Sequence, residues 1–158
     1  MRPIQLKRIL CPTDFSENSK HAMDYACALA DQFQAELHVL HVLQIAVSQL
    51  VADPYAAYGL PADFDERMRA SAERALLDLP NPEWASSKRV VRGLRQGSPF
   101  VEIVQYAREN KIDLIVLGTH GRSGLQHMLL GSVAEKVVRK AGCPVLTVRP
   151  PDHQFTMP

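Results

Sequence analysis

The sequence has almost no excess charge of either sign. Eighteen lysines and arginines stand against 17 aspartates and glutamates, for a net +1, so there is no electrostatic case for nucleic acid or an anionic membrane. Any anion site must therefore be built locally. No run of 18 apolar residues occurs, and Met1 to Arg8 carries charges without the apolar core of a signal peptide. A protein that is neither secreted nor membrane-spanning is expected. Cys11, Cys27 and Cys143 are odd in number, far apart and without a C-x-x-C pair, which disfavours a zinc site or a redox motif and fits a reduced cytoplasm.

Several catalytic signatures are missing as well. No glycine precedes a Lys-Ser or Lys-Thr pair, so there is no Walker A, and no Gly-x-Gly opens a dinucleotide fingerprint. Ser98 and Ser123 lie beside glycines without forming a nucleophile elbow, which disfavours a hydrolase triad. His38 and His41 are three apart; on a strand they face opposite ways and cannot share a metal ion without distortion.

What is present alternates between two periods. Arg8 to Pro12 and Glu36 to Leu43 read as buried parallel strands, Arg89 to Arg95 as a strand near a sheet edge, and Asp113 to Leu117 and Val145 to Arg149 as two more. Between them lie helical stretches. Ser16 caps the first, from Glu17 to Gln34, with Ala22, Tyr25, Ala26, Leu29 and Phe33 on its inner face. Asp63-x-x-Glu66 has capping-box spacing for a helix to about Leu79, which Pro80-Asn-Pro82 ends. Ser98-Pro99 starts a third with Ile103, Val104 and Ala107 buried, and Ser132 to Lys140 forms the last.

Strand-helix alternation of this kind implies one α/β domain, a doubly wound, Rossmann-like five-stranded parallel sheet with helices on both faces, over residues 1–150. Residues 151–158 read as a loose tail. Residues 44–62 are longer than an ordinary connection, and read either as a surface insertion, resting on the domain or on a partner subunit, or as a lid over a ligand. In a sheet of this kind ligands bind beyond the C-terminal strand ends, where the strand order reverses. Asp14 and the stretch from Gly118 to Ser132 both follow strands at that end.

That second stretch carries Gly118, Gly121, Gly124 and Gly131 before a serine and a helix. Glycines admit an anion close to backbone N–H groups, and a helix start favours negative charge by roughly 0.3 to 1 kcal/mol. Taken alone, the glycines also suit a mobile loop. Likewise Asp14 suits a turn cap as well as a ribose hydroxyl or a metal, Arg122 a solvated charge as well as a phosphate partner, and Ser132 a plain helix cap as well as a phosphate contact.

Gly118-x2-Gly121-x9-Gly131-Ser132 resembles the ATP-binding motif of the universal stress protein family. The similarity extends to Ile9-Leu-Cys-Pro-Thr-Asp14, to His41-Val42 and to Cys143-Pro-Val-Leu-Thr-Val148, and so spans nearly the whole chain. The resemblance implies strand order 3-2-1-4-5. It also implies ATP, with Mg²⁺, held by Pro12, Thr13 and Asp14 beside the adenosine, by the Val42 backbone at the adenine, and by Leu117, Gly118, Gly121, Arg122, Gly131, Ser132 and Val133 along the ribose and phosphates. A homodimer paired through Val145, Leu146, Thr147 and Val148 is implied too. Ala134 departs from relatives that carry a hydroxyl there. The expected function is a cytoplasmic, nucleotide-dependent stress-response regulator. A slow ATPase or self-phosphorylating protein using Ser132 or His120, and a dimeric scaffold without nucleotide, are the alternatives; no positioned base for water is evident beyond Asp14.

Overall fold

The computed structural model describes residues 3–44, 63–119 and 130–149. In chain order the elements are β1 (Arg8–Thr13), α1 (Glu17–Phe33), β2 (Glu36–Leu43), α2 (Phe64–Leu77), α3 (Pro82–Ala85), β3 (Val90–Gln96), α4 (Pro99–Glu109), β4 (Leu114–Gly118), α5 (Ser132–Lys140) and β5 (Val145–Val148). The five strands form one parallel sheet in the order β3-β2-β1-β4-β5, as the resemblance implied.

Side-chain alternation along the strands divides the interior in two. Ile9, Cys11, Leu37, Val39 and Val116 pack with Ala22, Met23, Ala26 and Ala30 of α1 and Leu76 of α2. Leu10, Leu40, Ile115 and Leu117 pack with Ile103, Tyr106 and Ala107 of α4 and Ala134 and Val137 of α5. Right-handed crossovers account for the division: connections running from β1 outward through β2 to β3 place their helices on one face, and those returning past β1 to β4 and β5 place theirs on the other.

Several local expectations need correcting. The inner face of α1 is Ser19, Ala22, Met23, Ala26 and Ala30, and Tyr25 and Phe33 are exposed. The 25–29–33 row flanks the buried 22–26–30 row, whose small side chains let the helix sit closely on β1 and β4. On α4 it is Tyr106, not Val104, that joins Ile103 and Ala107 in the core. Asp63 forms no capping box: its backbone stands at φ −98° and ψ 11°, outside the extended region a cap needs, and its carboxylate pairs with Arg67 Nε at 2.6 Å. Ser98 occupies the cap position before Pro99, but its hydroxyl makes no capping bond. Helix α2 stops at Leu77 rather than Leu79.

Pro82, read as a terminator, begins the extra helix α3. Asn81 Oδ1 accepts from Glu83 N–H at 2.8 Å, so Asn-Pro here is a helix start. Trp84 Nε1 then donates to Asp31 Oδ2 at 2.9 Å, tying α3 to α1. The two strand histidines do face opposite sides. His38 lies between Tyr106 Oη and Glu36 Oε1, each at 2.9 Å, whereas His41 stacks on Phe15.

Candidate functional site

The ladder between β1 and β4 is short. Ile9 pairs with Leu114 and Leu10 with Ile115, and there the pairing ends, although β1 continues beside β2 to the pair Thr13 and His41. Pro12, two residues past the last pair, has no N–H with which to extend a ladder. On its other side β4 stays paired with β5 as far as Gly118 and Val148. The strand order reverses between β1 and β4, and beyond Leu10 and Ile115 the two strands no longer pair with each other, which is the place where open α/β sheets hold their ligands.

On the β1 side, Thr13 to Ser16 form a tightly bonded turn. Phe15 is in the left-handed region at φ 66°, and its N–H donates to Thr13 Oγ1 at 3.0 Å. Thr13 Oγ1 in turn meets Ser19 Oγ at 3.0 Å. Asp14 Oδ1 accepts from both Ser16 N–H at 3.0 Å and Ser16 Oγ at 2.5 Å. His41 Nδ1 is 2.8 Å from the Thr13 carbonyl, an acceptor only, so this nitrogen carries the proton. Asp14 is half-buried, as is Pro12, while Thr13 and Val42 are buried.

On the β4 side, Leu117 is buried and Gly118 half-buried. Thr119 N–H donates to the Val148 carbonyl at 2.9 Å, and the Thr119 carbonyl accepts from Gly131 N–H at 2.6 Å, which closes the base of the glycine loop. Gly131 is the N-cap of α5 and Ser132 its first, exposed residue. Glu135 N–H begins the helical ladder on the Gly131 carbonyl. The N–H groups of Ser132, Val133 and Ala134 therefore belong to the first turn, where no intrahelical acceptor exists. The Gly131 N–H, in contrast, is committed to Thr119.

Val133 is half-buried against the second core, and Ala134 is buried in it. Gly121, Arg122 and His120, with the segment 45–62 and the tail 150–158, lie outside the described residues. Among the described residues no cluster of three or more His, Cys, Asp or Glu side chains is arranged to hold a metal ion. A groove of about 500 Å³ between α1 and the segment 78–84, lined by Met23, Cys27, Leu79, Pro80 and Trp84 among others, shares no residue with the ends of β1 and β4.

Cys11 lies on β1 beneath the turn, where burial first, and then Cys27 and Asp24, push its thiol far above the ordinary range. It is a packing residue, not a nucleophile. The bonds of Ser16 to Asp14, and of Ser19, Phe15 and His41 to Thr13, had no sequence signal beyond Ser16 as a helix cap.

The sequence model of the universal stress protein family matches residues 5–149. The chain belongs to the universal stress protein family. Among relatives of this universal stress protein are the universal stress proteins MJ0531 of Methanocaldococcus jannaschii, 35% identical over 94% of this chain and 85% of that one, and YxiE of Bacillus subtilis, 36% identical over 90% and 98%. The structure of hypothetical protein MJ0577 superposes with a TM-score of 0.79 at 28% identity, covering 95% of this chain and all of the other. A universal stress protein solved in complex with cAMP superposes with a TM-score of 0.59 at 26% identity, covering 92% and 98%. No helix among the described residues is long and apolar enough to cross a membrane.

Proposed function

We propose that the protein binds an adenine nucleotide, ATP first, in the crevice between β1 and β4, and acts in the stress response by a nucleotide-dependent change of state. The observation that carries this is the end of β1–β4 pairing at Leu10 and Ile115, followed by the Asp14 turn on one side and the start of α5 on the other. Pro12, Thr13 and Asp14 lie beside the adenosine, and the Val42 backbone meets the adenine. Leu117, Gly118, Gly121, Arg122, Gly131, Ser132 and Val133 line the ribose and phosphates. The first turn of α5 supplies N–H donors and a dipole that favours an anion. Ser132 and Val133 donate to phosphate; Gly131, whose N–H holds Thr119, shapes the cap.

These residues fit a nucleotide better than a resident metal. Mg²⁺ keeps several waters and binds largely through phosphate oxygens in nucleotide sites, so it would arrive with ATP. The solved relative with cAMP supports an adenine nucleotide and makes cAMP the competing ligand. Two copies pair along the free edge of β5, Val145 to Val148, in the cytoplasm.

Isothermal titration calorimetry with ATP and Mg²⁺, and separately with cAMP, tests the reading. Saturable ATP binding weakened by Gly118→Val is the expected result. Heat from cAMP alone would reassign the ligand, and no heat from any adenine nucleotide would refute the site.

A further inference from the structure

We propose that Ser16 is a positioning residue for nucleotide recognition, its hydroxyl proton fixing the Asp14 carboxylate in the orientation that takes the ribose hydroxyls. This rests on the nucleotide reading above. The proton positions in the turn follow from the acceptors. Ser19 Oγ is 2.8 Å from the Ser16 carbonyl, which has no proton, so Ser19 is the donor there. Thr13 must then donate to Ser19 Oγ, leaving its own lone pair for Phe15 N–H. Ser16 Oγ accepts from Ser19 N–H at 3.3 Å and gives its single proton to Asp14 Oδ1 at 2.5 Å.

Each of the three hydroxyls thus has one proton, and each proton one acceptor. The network cannot reverse without breaking a bond. A residue serving only as a helix cap would need only the bond from Ser19 N–H, which is the longest in the turn; the short bond goes to Asp14. A distance of 2.5 Å is that of a hydroxyl donating to an ionised carboxylate, the stronger class of hydrogen bond. Phe15 holds the turn at φ 66°, a conformation that residues with side chains seldom adopt, and one found where surrounding bonds over-determine the backbone. The arrangement holds one carboxylate in a fixed orientation, on the turn that follows β1 at its C-terminal end, before any ligand arrives.

Capping and positioning are separable by substitution. Ser16→Thr keeps both roles. Ser16→Asp keeps an acceptor for Ser19 N–H but has no proton to give and sets a like charge beside Asp14, and Ser16→Ala loses both. Affinities for ATP and for 2′,3′-dideoxyadenosine triphosphate, which lacks both ribose hydroxyls, are measured by calorimetry for each variant, together with its melting temperature. The unaltered protein and Ser16→Thr prefer ATP. In Ser16→Asp and Ser16→Ala the ATP affinity falls about tenfold or more while that for the dideoxy analogue barely moves, because a bond to a charged group has been lost. Melting temperatures, lowered in Ser16→Ala by loss of the cap and in Ser16→Asp by the like charge, report stability separately from the ATP preference. Retention of the ATP preference in Ser16→Asp, or equal loss for both nucleotides, would reduce Ser16 to a structural cap and overturn the proposal, as would an unaltered protein that binds both nucleotides equally. Absence of binding by the unaltered protein would instead strike the nucleotide reading itself.

Discussion

Phe15 stacks on His41, ring centroids 4.3 Å apart and planes tilted by 36°, and His41 in turn holds the Thr13 carbonyl through Nδ1. The stack joins the turn after β1 to the end of β2 and keeps an aromatic residue in a left-handed conformation. A cost and a gain are therefore opposed at one position, the backbone strain of a side chain at positive φ and the packing that the ring supplies.

Substitution separates them. Phe15→Ala loses the ring and keeps the strain, whereas Phe15→Gly loses the ring and the strain together. Both variants should be less stable than the unaltered protein, by about 2 kcal/mol for Ala given a half-buried ring. The glycine variant should exceed the alanine variant by about 1 kcal/mol. Urea unfolding decides the order, and an alanine variant more stable than glycine would mean that the turn relaxes out of the left-handed region.

On the other face, Gly93 of β3 lies under Tyr106 of α4. A Cβ at Gly93 would stand 3.0 Å from Tyr106 Cε2 and 3.2 Å from Leu40 Cδ1, so Gly93→Ala should cost about 1 to 3 kcal/mol by overpacking. In a Tyr106→Leu background the same change should cost clearly less, because the nearest atom is gone. A double-mutant cycle in urea reads the difference. Equal cost in both backgrounds would assign the penalty to Leu40 or to the backbone.

Burial, followed by the charges of Asp24 and Asp31, pushes the Cys27 thiol up to about 12, against an ordinary value of about 8.5. In the unfolded chain this thiol ionises first. Its contribution to stability is therefore intact below the ordinary value and is lost as pH rises from there towards 12. Cys11, raised for the same chief reason, acts in the same sense. Urea midpoints measured between about pH 8 and 10.5 should fall, and Cys27→Ala should flatten part of that fall. An unchanged slope in the variant would place the alkaline loss elsewhere.

The strands and their near-continuous Val and Leu runs were legible because burial on both faces leaves few other residue types, and Ser132 to Lys140 was legible because glycine and serine mark its start. Faces of helices were less so. On α1, Ala22, Ala26 and Ala30 and their larger neighbours Tyr25, Leu29 and Phe33 share the same spacing, and only the sheet decides which row it can approach. The bonds around Asp14 were illegible for a different reason: Ser19 and His41 reach Thr13 from separate elements, and no sequence spacing reports a contact across 28 residues. Asn81-Pro82 shows that one dipeptide can end a helix or begin one, and the next residues choose.

The order β3-β2-β1-β4-β5 leaves β5 at an edge, with no strand on its outer side among the described residues. Leu146 on that strand and Val138 on α5 are among the exposed large apolar residues. In the homodimer proposed above, this edge pairs with its own copy about a twofold axis, so that each residue near the axis meets itself or a close neighbour. Leu146→Lys should therefore bring two like charges together in a dimer while adding only a solvated charge to a monomer. The dimer dissociation constant should rise by about thirtyfold or more, corresponding to a penalty of about 2 kcal/mol. Sedimentation equilibrium, with circular dichroism to establish that the fold is kept, measures this. A dimer of undiminished strength in the variant would move the interface away from β5, and a monomeric unaltered protein would exclude edge pairing altogether.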